Sequence, residues 1–179
     1  SDSFAIRFAA LVGQENGYIS NAANPGADKL LGYDKYAGRL SALYRGESVE
    51  VLFTAEYEDR DQSGTVYVPT GKGEGYETLV DLFGLDDSSN GRTIDSDLGL
   101  GNTDDASIWS FGLQIDVDLG GATLTSLTGY KSHDYQYAED FDGTTLGING
   151  YSQDQDGTYF EQELRVVSDT DDPLSWYAG

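Results

Sequence analysis

Apolar and polar residues alternate along this chain with few errors. In the clearest stretch, Trp109, Phe111, Leu113, Ile115, Val117 and Leu119 fall on one side, with Ser110, Gly112, Gln114, Asp116 and Asp118 on the other. Successive side chains of a strand point to opposite faces, so a strict period of two predicts a β-strand with one dry and one wet face. Near the start, Phe4, Ile6, Phe8, Ala10 and Val12 oppose Ala5, Arg7, Ala9 and Leu11. Tyr36, Gly38, Leu40, Ala42 and Tyr44 oppose Ala37, Arg39, Ser41, Leu43 and Arg45, and Val49, Val51, Phe53, Ala55 and Tyr57 oppose Glu50, Leu52, Thr54, Glu56 and Glu58. Thr and Ser blur the alternation over 122–137, it returns over 158–168, and 174–179 reads as a strand cut short.

The connections alternate too. Long links are expected over 14–34, 62–104 and 138–156, and short ones at Gly46–Glu47–Ser48, at Gly120–Gly121 and over 169–173. Loops above about 12–15 residues are uncommon in compact domains unless functional. An outer-membrane barrel has a reason for the pattern: short turns on its inner rim and long loops on its outer rim. Its strands of about 9–11 residues cross an apolar band about 25 Å tall. The pattern therefore predicts an all-β fold, an antiparallel meander of long strands forming part of a transmembrane β-barrel with short periplasmic turns and long extracellular loops. Phe4, Tyr44 and Trp176 would sit at the inner rim, and Tyr36, Tyr57, Trp109 and Phe160 at the outer, where rings favour a membrane interface. The competing reading packs the same rings in a soluble core.

Composition narrows the partners. The 179 residues carry 32 acidic and 10 basic side chains, a formal charge of -22, with 23 Gly, 13 Tyr, 3 Pro and neither Cys nor Met. Nucleic acid needs clustered Lys and Arg to meet its phosphates and is excluded as a partner on charge. The absence of Cys rules out a disulfide framework, a thiol nucleophile and a thiolate metal site. No stretch reaches the roughly 20 apolar residues of a membrane-spanning helix, and no signal peptide opens the chain. The missing initiator Met and the early strand fit a piece of something longer. Much of the acid falls in expected loops: 62–105 holds Glu74, Glu77, Asp81, Asp86, Asp87, Asp95, Asp97, Asp104 and Asp105 against Lys72 and Arg92.

One family resemblance is specific. "LTSLTGYKSHDYQYAEDFDGT" (124–144), followed by "FEQELRVVSDTDDPLSWYAG" (160–179), closely resembles the barrel of TonB-dependent outer-membrane receptors. There a "TLTSLTGY" strand, an Asp-rich loop and an F-x-Q-E-L-R-x-x-S strand precede PL-x-W-x-x-G. "NGYISN", "DKYAGRLSALYRG" and "VEVLFTAEYED" are similar to the first hairpins of those barrels, and the likeness is weakest over 62–104. It implies a 22-stranded barrel closed by an N-terminal plug, energised through the TonB complex. Such receptors import a scarce small-molecule ligand such as a ferric siderophore, haem, cobalamin or a sugar across the bacterial outer membrane. The chain departs from the pattern in having about seven strands and neither plug nor TonB box. Residues 1–179 are therefore expected to be one partial barrel domain, contacting outer-membrane lipid and reaching TonB only through the absent plug.

The resemblance puts Glu161, Glu163 and Arg165 on the inward face, where they serve wall electrostatics, the plug or the ligand. Arg7, Arg39 and Arg45 are driven inward by the cost of a charge facing lipid, about 2–4 kcal/mol at the bilayer midplane. His133, Tyr135 and Tyr137 form an i, i+2, i+4 row at the outer end of a strand. They are the candidate ligand-binding residues, able to stack on a flat ligand, with an interface belt as the alternative. Asp140 and Asp142, Asp154 and Asp156, and Asp169, Asp171 and Asp172 invite a calcium reading, yet none fits the D-x-[DN]-x-[DN]-G loop with its distal Glu, so no metal or cofactor is assigned. The single His lacks a Ser or Cys partner and "GKGEGYET" is not a phosphate loop, so no enzyme is expected. The rivals are a secreted or surface-attached β-rich binding or adhesive module, with or without calcium stabilisation, and a glycan hydrolase working through carboxylates.

Overall fold

The computed structural model describes residues 3–26, 29–68, 73–84, 91–99, 101–169 and 174–179. Ten elements follow in order: β1 (Phe4–Glu15), β2 (Ser20–Asn21), β3 (Tyr33–Arg45), β4 (Val49–Gln62), α1 (Glu74–Phe83), β5 (Thr93–Ile94), β6 (Thr103–Asp118), β7 (Ala122–Asp140), β8 (Gly150–Ser168) and β9 (Tyr177–Ala178). Seven strands make one sheet in the order β1-β3-β4-β6-β7-β8-β9, every neighbouring pair antiparallel, and β2 and β5 pair in parallel as a separate ribbon. The sheet is an open meander whose edges are β1 and the short β9. Each strand predicted from the alternation is present.

Residues opposite one another in register share a face, so the register states which side chains lie together. Phe8 faces Leu40, Leu40 faces Ala55, Ala55 faces Phe111, Phe111 faces Tyr130 and Tyr130 faces Phe160. The apolar positions of six strands thus merge into one continuous dry face. No element covers it: among the described residues the only contacting pairs of elements are neighbours within the two sheets. Phe8 is 71% exposed, Val12 74% and Phe160 69%, values foreign to a packed interior. Rings mark the rims of the band. Phe4 opposes Tyr44 beside the short turn, and at the other end Tyr57 and Trp109 approach to 4.4 Å between centroids. From Trp109 to Val117 the strand advances about 26 Å.

The other face is polar and carries every cation of the sheet strands. Arg7, Lys35, Arg39, Arg45, Arg60, Lys131 and Arg165 all occupy register positions of this face. Arg39 bonds Glu56 at 2.7 Å, Lys35 bonds Glu58 at 2.8 Å and Arg60 bonds Asp104 at 2.8 Å. Arg7, Arg39 and Arg45 therefore share the face opposite the apolar one.

Two expectations about the connections need correction. The link read as 138–156 spans only 141–149, because β7 and β8 run on as a paired ribbon from Ser132↔Thr158 to Asp140↔Gly150. Ser, Asp and Gln fill the formerly apolar positions there, so alternation vanishes while backbone pairing continues. The stretch 62–104 also contains a helix, α1, ended by Gly84 at φ 65°, whose N–H reaches the Val80 carbonyl at 2.8 Å. A left-handed residue after the last turn is a common helix stop. Its apolar positions Tyr76, Val80 and Phe83 are helically spaced but sit within a Gly- and Asp-rich stretch. The links 16–32, 63–102 and 141–149 emerge at one end of the sheet, and the short turns at the other.

Candidate functional site

The two most buried residues lie in the crown of long loops, beyond the sheet's ring-marked rim. Ile94 is 1% and Ser96 2% exposed, with Ile19, Asn21, Ala138, Glu139, Asp140 and Thr144 buried around them. The β2–β5 ribbon joins the first long loop to the second. Asn21 then clasps Ser96, its Nδ2 donating to the Ser96 carbonyl at 2.7 Å and its Oδ1 accepting from the Ser96 N–H at 3.2 Å. Ser96 Oγ donates onward to Asp140, and the Asp97 N–H donates to the Thr144 carbonyl at 3.0 Å, which brings in the third loop. Three segments remote in sequence are thereby locked by buried hydrogen bonds, which are costly to leave unmade.

Asp142 organises the third loop. Its carboxylate accepts from the Thr144 N–H at 2.9 Å, from Thr144 Oγ1 at 2.5 Å, and from the Ile148 and Asn149 N–H groups at 2.9 Å each. Burial acts to raise its pKa, but these donors outweigh burial and hold the carboxyl below its ordinary value. Asp140 moves the other way: burial raises it although Ser96 and the Asp142 N–H donate to it. Both carboxylates of "DFDG" are thus engaged by protein donors, a turn-forming role. No group of three or more His, Cys, Asp or Glu suited to a metal occurs among the described residues. Asp154 and Asp156 lie on the outer extension of β8, and Asp171 and Asp172 fall outside the described residues.

The three candidate ligand-binding residues stand just below this crown. His133, Tyr135 and Tyr137 oppose Gly157, Gln155 and Gln153 on β8. By register they belong to the polar face with Lys131, opposite to Trp109 and Phe111. His133 lies nearly parallel to Tyr159, 14° between planes and 5.5 Å between centroids. Gly157 makes that possible, since a Cβ there would lie 2.8 Å from His133 Cε1. Tyr135 and Tyr137 are stacked at 6.2 Å, and Tyr137 meets Tyr151 at 6.1 Å. Tyr137 OH donates to Glu139 at 2.6 Å and shares a 3.0 Å hydrogen bond with Thr65. Tyr67 OH also donates to Glu139, at 3.2 Å, and its pKa is raised by burial and by that carboxylate.

The interior residues carried over by resemblance share the polar face but do not form one cluster. Arg39 is on β3, paired with Glu56, while Glu161, Glu163 and Arg165 follow one another on β8. Arg165 lies 3.8 Å from Glu163, and Glu161 leans over Gly129, where a Cβ would meet its Oε1 at 2.7 Å. Sequence reasoning missed Tyr151, Tyr159, Gln153 and Gln155, which complete the aromatic row. Positions 151, 153 and 155 were assigned to a loop and Tyr159 to a strand without a role, although the odd-numbered spacing 151, 153, 155, 159 carries a period of two.

Comparison with protein-family models, with curated proteins and with solved structures gives no match.

Proposed function

We propose that residues 1–179 form part of the barrel wall of a TonB-dependent outer-membrane receptor that imports a scarce small-molecule ligand, of which a ferric siderophore is one type. The observation that carries the reading is a two-faced sheet whose dry face no element among the described residues covers, edged with rings, and free of strand cations. Lipid is the partner such a face fits, because a bilayer accepts the apolar positions and rejects exactly those side chains confined to the other face. An open sheet cannot span, so further strands of a longer chain complete the closure, and a plug inside it relays energy from TonB. The polar face lines the lumen, and the crown forms the extracellular entrance. Binding is by the crown and upper lumen, with uptake following from different affinities in closed and opened states. No chemistry on the ligand is involved.

A rival from another class, a secreted or surface-attached binding module, has to cover the dry face with a protein partner. Its calcium-stabilised form has little support, since Asp140 and Asp142 are occupied by protein donors. The test is to express the complete gene and float the product with lipid vesicles. The receptor reading expects it to float, to resist alkaline extraction and to migrate faster unheated than boiled in detergent gels. A product that stays in the aqueous fraction and melts at a temperature lowered by chelation contradicts it.

A further inference from the structure

We infer that the ribbon formed by the outer halves of β7 and β8 binds a neutral polyhydroxylated ligand of the oligosaccharide class on its polar face. This rests on the receptor reading, which makes that face the wall of a water-filled lumen, and it narrows the ligand that reading leaves open.

Aromatic rings facing water need a reason, and here they come in a pattern. Tyr135 stands opposite Gln155 and Tyr137 opposite Gln153, so each ring has a side-chain amide beside it. The amides are oriented by a relay in which Tyr151 OH donates to Gln153 Oε1 at 2.9 Å and Gln153 Nε2 donates to Gln155 Oε1 at 3.1 Å. The chain of donors ends at Gln155 Nε2, which donates to no group among the described residues and lies at the centre of the ribbon. At its lower end His133 is held flat over Gly157 against Tyr159, and His133 Nδ1 is enclosed without a hydrogen-bond partner among the described residues. Flat rings match the C–H faces of a pyranose, and amides that both donate and accept match its hydroxyls. An extended row of such pairs suits several linked sugar units better than one compact molecule.

Charge separates this class from its competitors. A ferric complex of anionic chelators, or the carboxylates of a haem, needs unpaired cations. On this face Lys35, Arg39, Arg45 and Arg60 are already bonded to carboxylates and Arg165 lies 3.8 Å from Glu163, which leaves Lys131 at the ribbon's lower end and Arg7 on β1 as the cations without an ion pair among the described residues, while Glu139 and Asp104 stand at the ribbon's upper end. A chain of charge -22 repels an anion approaching its crown, whereas a neutral sugar meets no such barrier. The tyrosine hydroxyls of 137 and 151 are spoken for by Glu139 and Gln153, so the rings are fixed in place before a ligand arrives.

The test uses the full-length product, first floated with vesicles and checked for heat-modifiable migration, so that failure of the barrel reading registers separately. Isothermal titration then compares maltohexaose, cellohexaose and xylohexaose with a trianionic ferric tris-catecholate. At least one hexasaccharide should bind, weakened about tenfold or more by Tyr135→Ala and by Gln155→Ala and by less than about threefold by Tyr135→Phe, which keeps the ring. Binding that survives Tyr135→Ala and Gln155→Ala unchanged, binding of the ferric complex alone, or binding of none of the four overturns the inference.

Discussion

Replacing Leu113 by Arg puts a charge at the centre of the dry face, and its sign of effect depends on what touches that face. Leu113 lies midway between Trp109 and Val117, flanked in register by Phe53 and Thr128. It is about 13 Å along the strand from the ring row, or about 10 Å along the normal at a tilt near 40°. That is close to the middle of an apolar band about 25 Å tall, where Arg costs about 2–4 kcal/mol. Trp109→Arg, at the rim, should cost about 0–1 kcal/mol from the charge itself. Gln114→Arg, one residue away on the polar face, should stay within about 0.5 kcal/mol. The assay is folding of the complete gene product into lipid vesicles across a urea series, with stability taken by linear extrapolation. If the face met water, Leu113→Arg would be as harmless as Gln114→Arg. If it met a protein layer, the cost would not fall toward Trp109. Either result refutes the reasoning.

Asn21→Ala should cost about 1–3 kcal/mol by leaving the buried Ser96 N–H and carbonyl without partners, read as faster amide exchange and protease cleavage in all three long loops rather than one. Asp142→Asn should loosen the 141–149 loop, because an amide nitrogen cannot accept from Ile148 and Asn149. Since the folded pKa of Asp142 is lowered, its stabilisation is present above the ordinary value of 3.8 and lost as pH falls through the folded value; exchange protection in this loop, taken relative to the intrinsic rate at each pH, should therefore fall with acid in the wild type and be flatter in Asp142→Asn. Asp140, with its pKa raised, works in the opposite sense, costing stability as pH climbs from 3.8 through its folded value. Gly157→Ala should push the imidazole off Tyr159, visible as a changed ring-current shift of His133, at a cost of about 1–3 kcal/mol.

The strands were legible because each face has one environment: Trp109 to Val117 alternates strictly where apolar positions must stay apolar and charges must leave them. Beyond the ring row that constraint ends, and Asp134, Gln136, Asp154 and Asp156 occupy the positions Phe111 and Phe160 hold lower down. Backbone pairing holds β7 and β8 together there without help from hydropathy, so a pattern-based reading stops near 137 and resumes near 158. The helix over 74–83 was hidden for another reason, since its N-terminal Gly73 offers no side-chain cap and the flanking residues are Gly and Asp. The aromatic row was half legible: one strand showed His133, Tyr135 and Tyr137, but the facing amides needed the register. The loop lock was not legible at all. Asn21, Ser96 and Asp140 lie 75 and 44 residues apart and carry no motif.

Spin labels placed singly at each position from 109 to 119 in the complete gene product, folded in the presence of lipid vesicles, test the central claim most directly, through collision with oxygen, which concentrates in lipid, and with a water-soluble nickel chelate. The odd positions should be reached by oxygen and the even ones by nickel, in strict alternation. Odd positions reached by nickel, or by neither reagent, would contradict a sheet that turns its dry side to hydrocarbon.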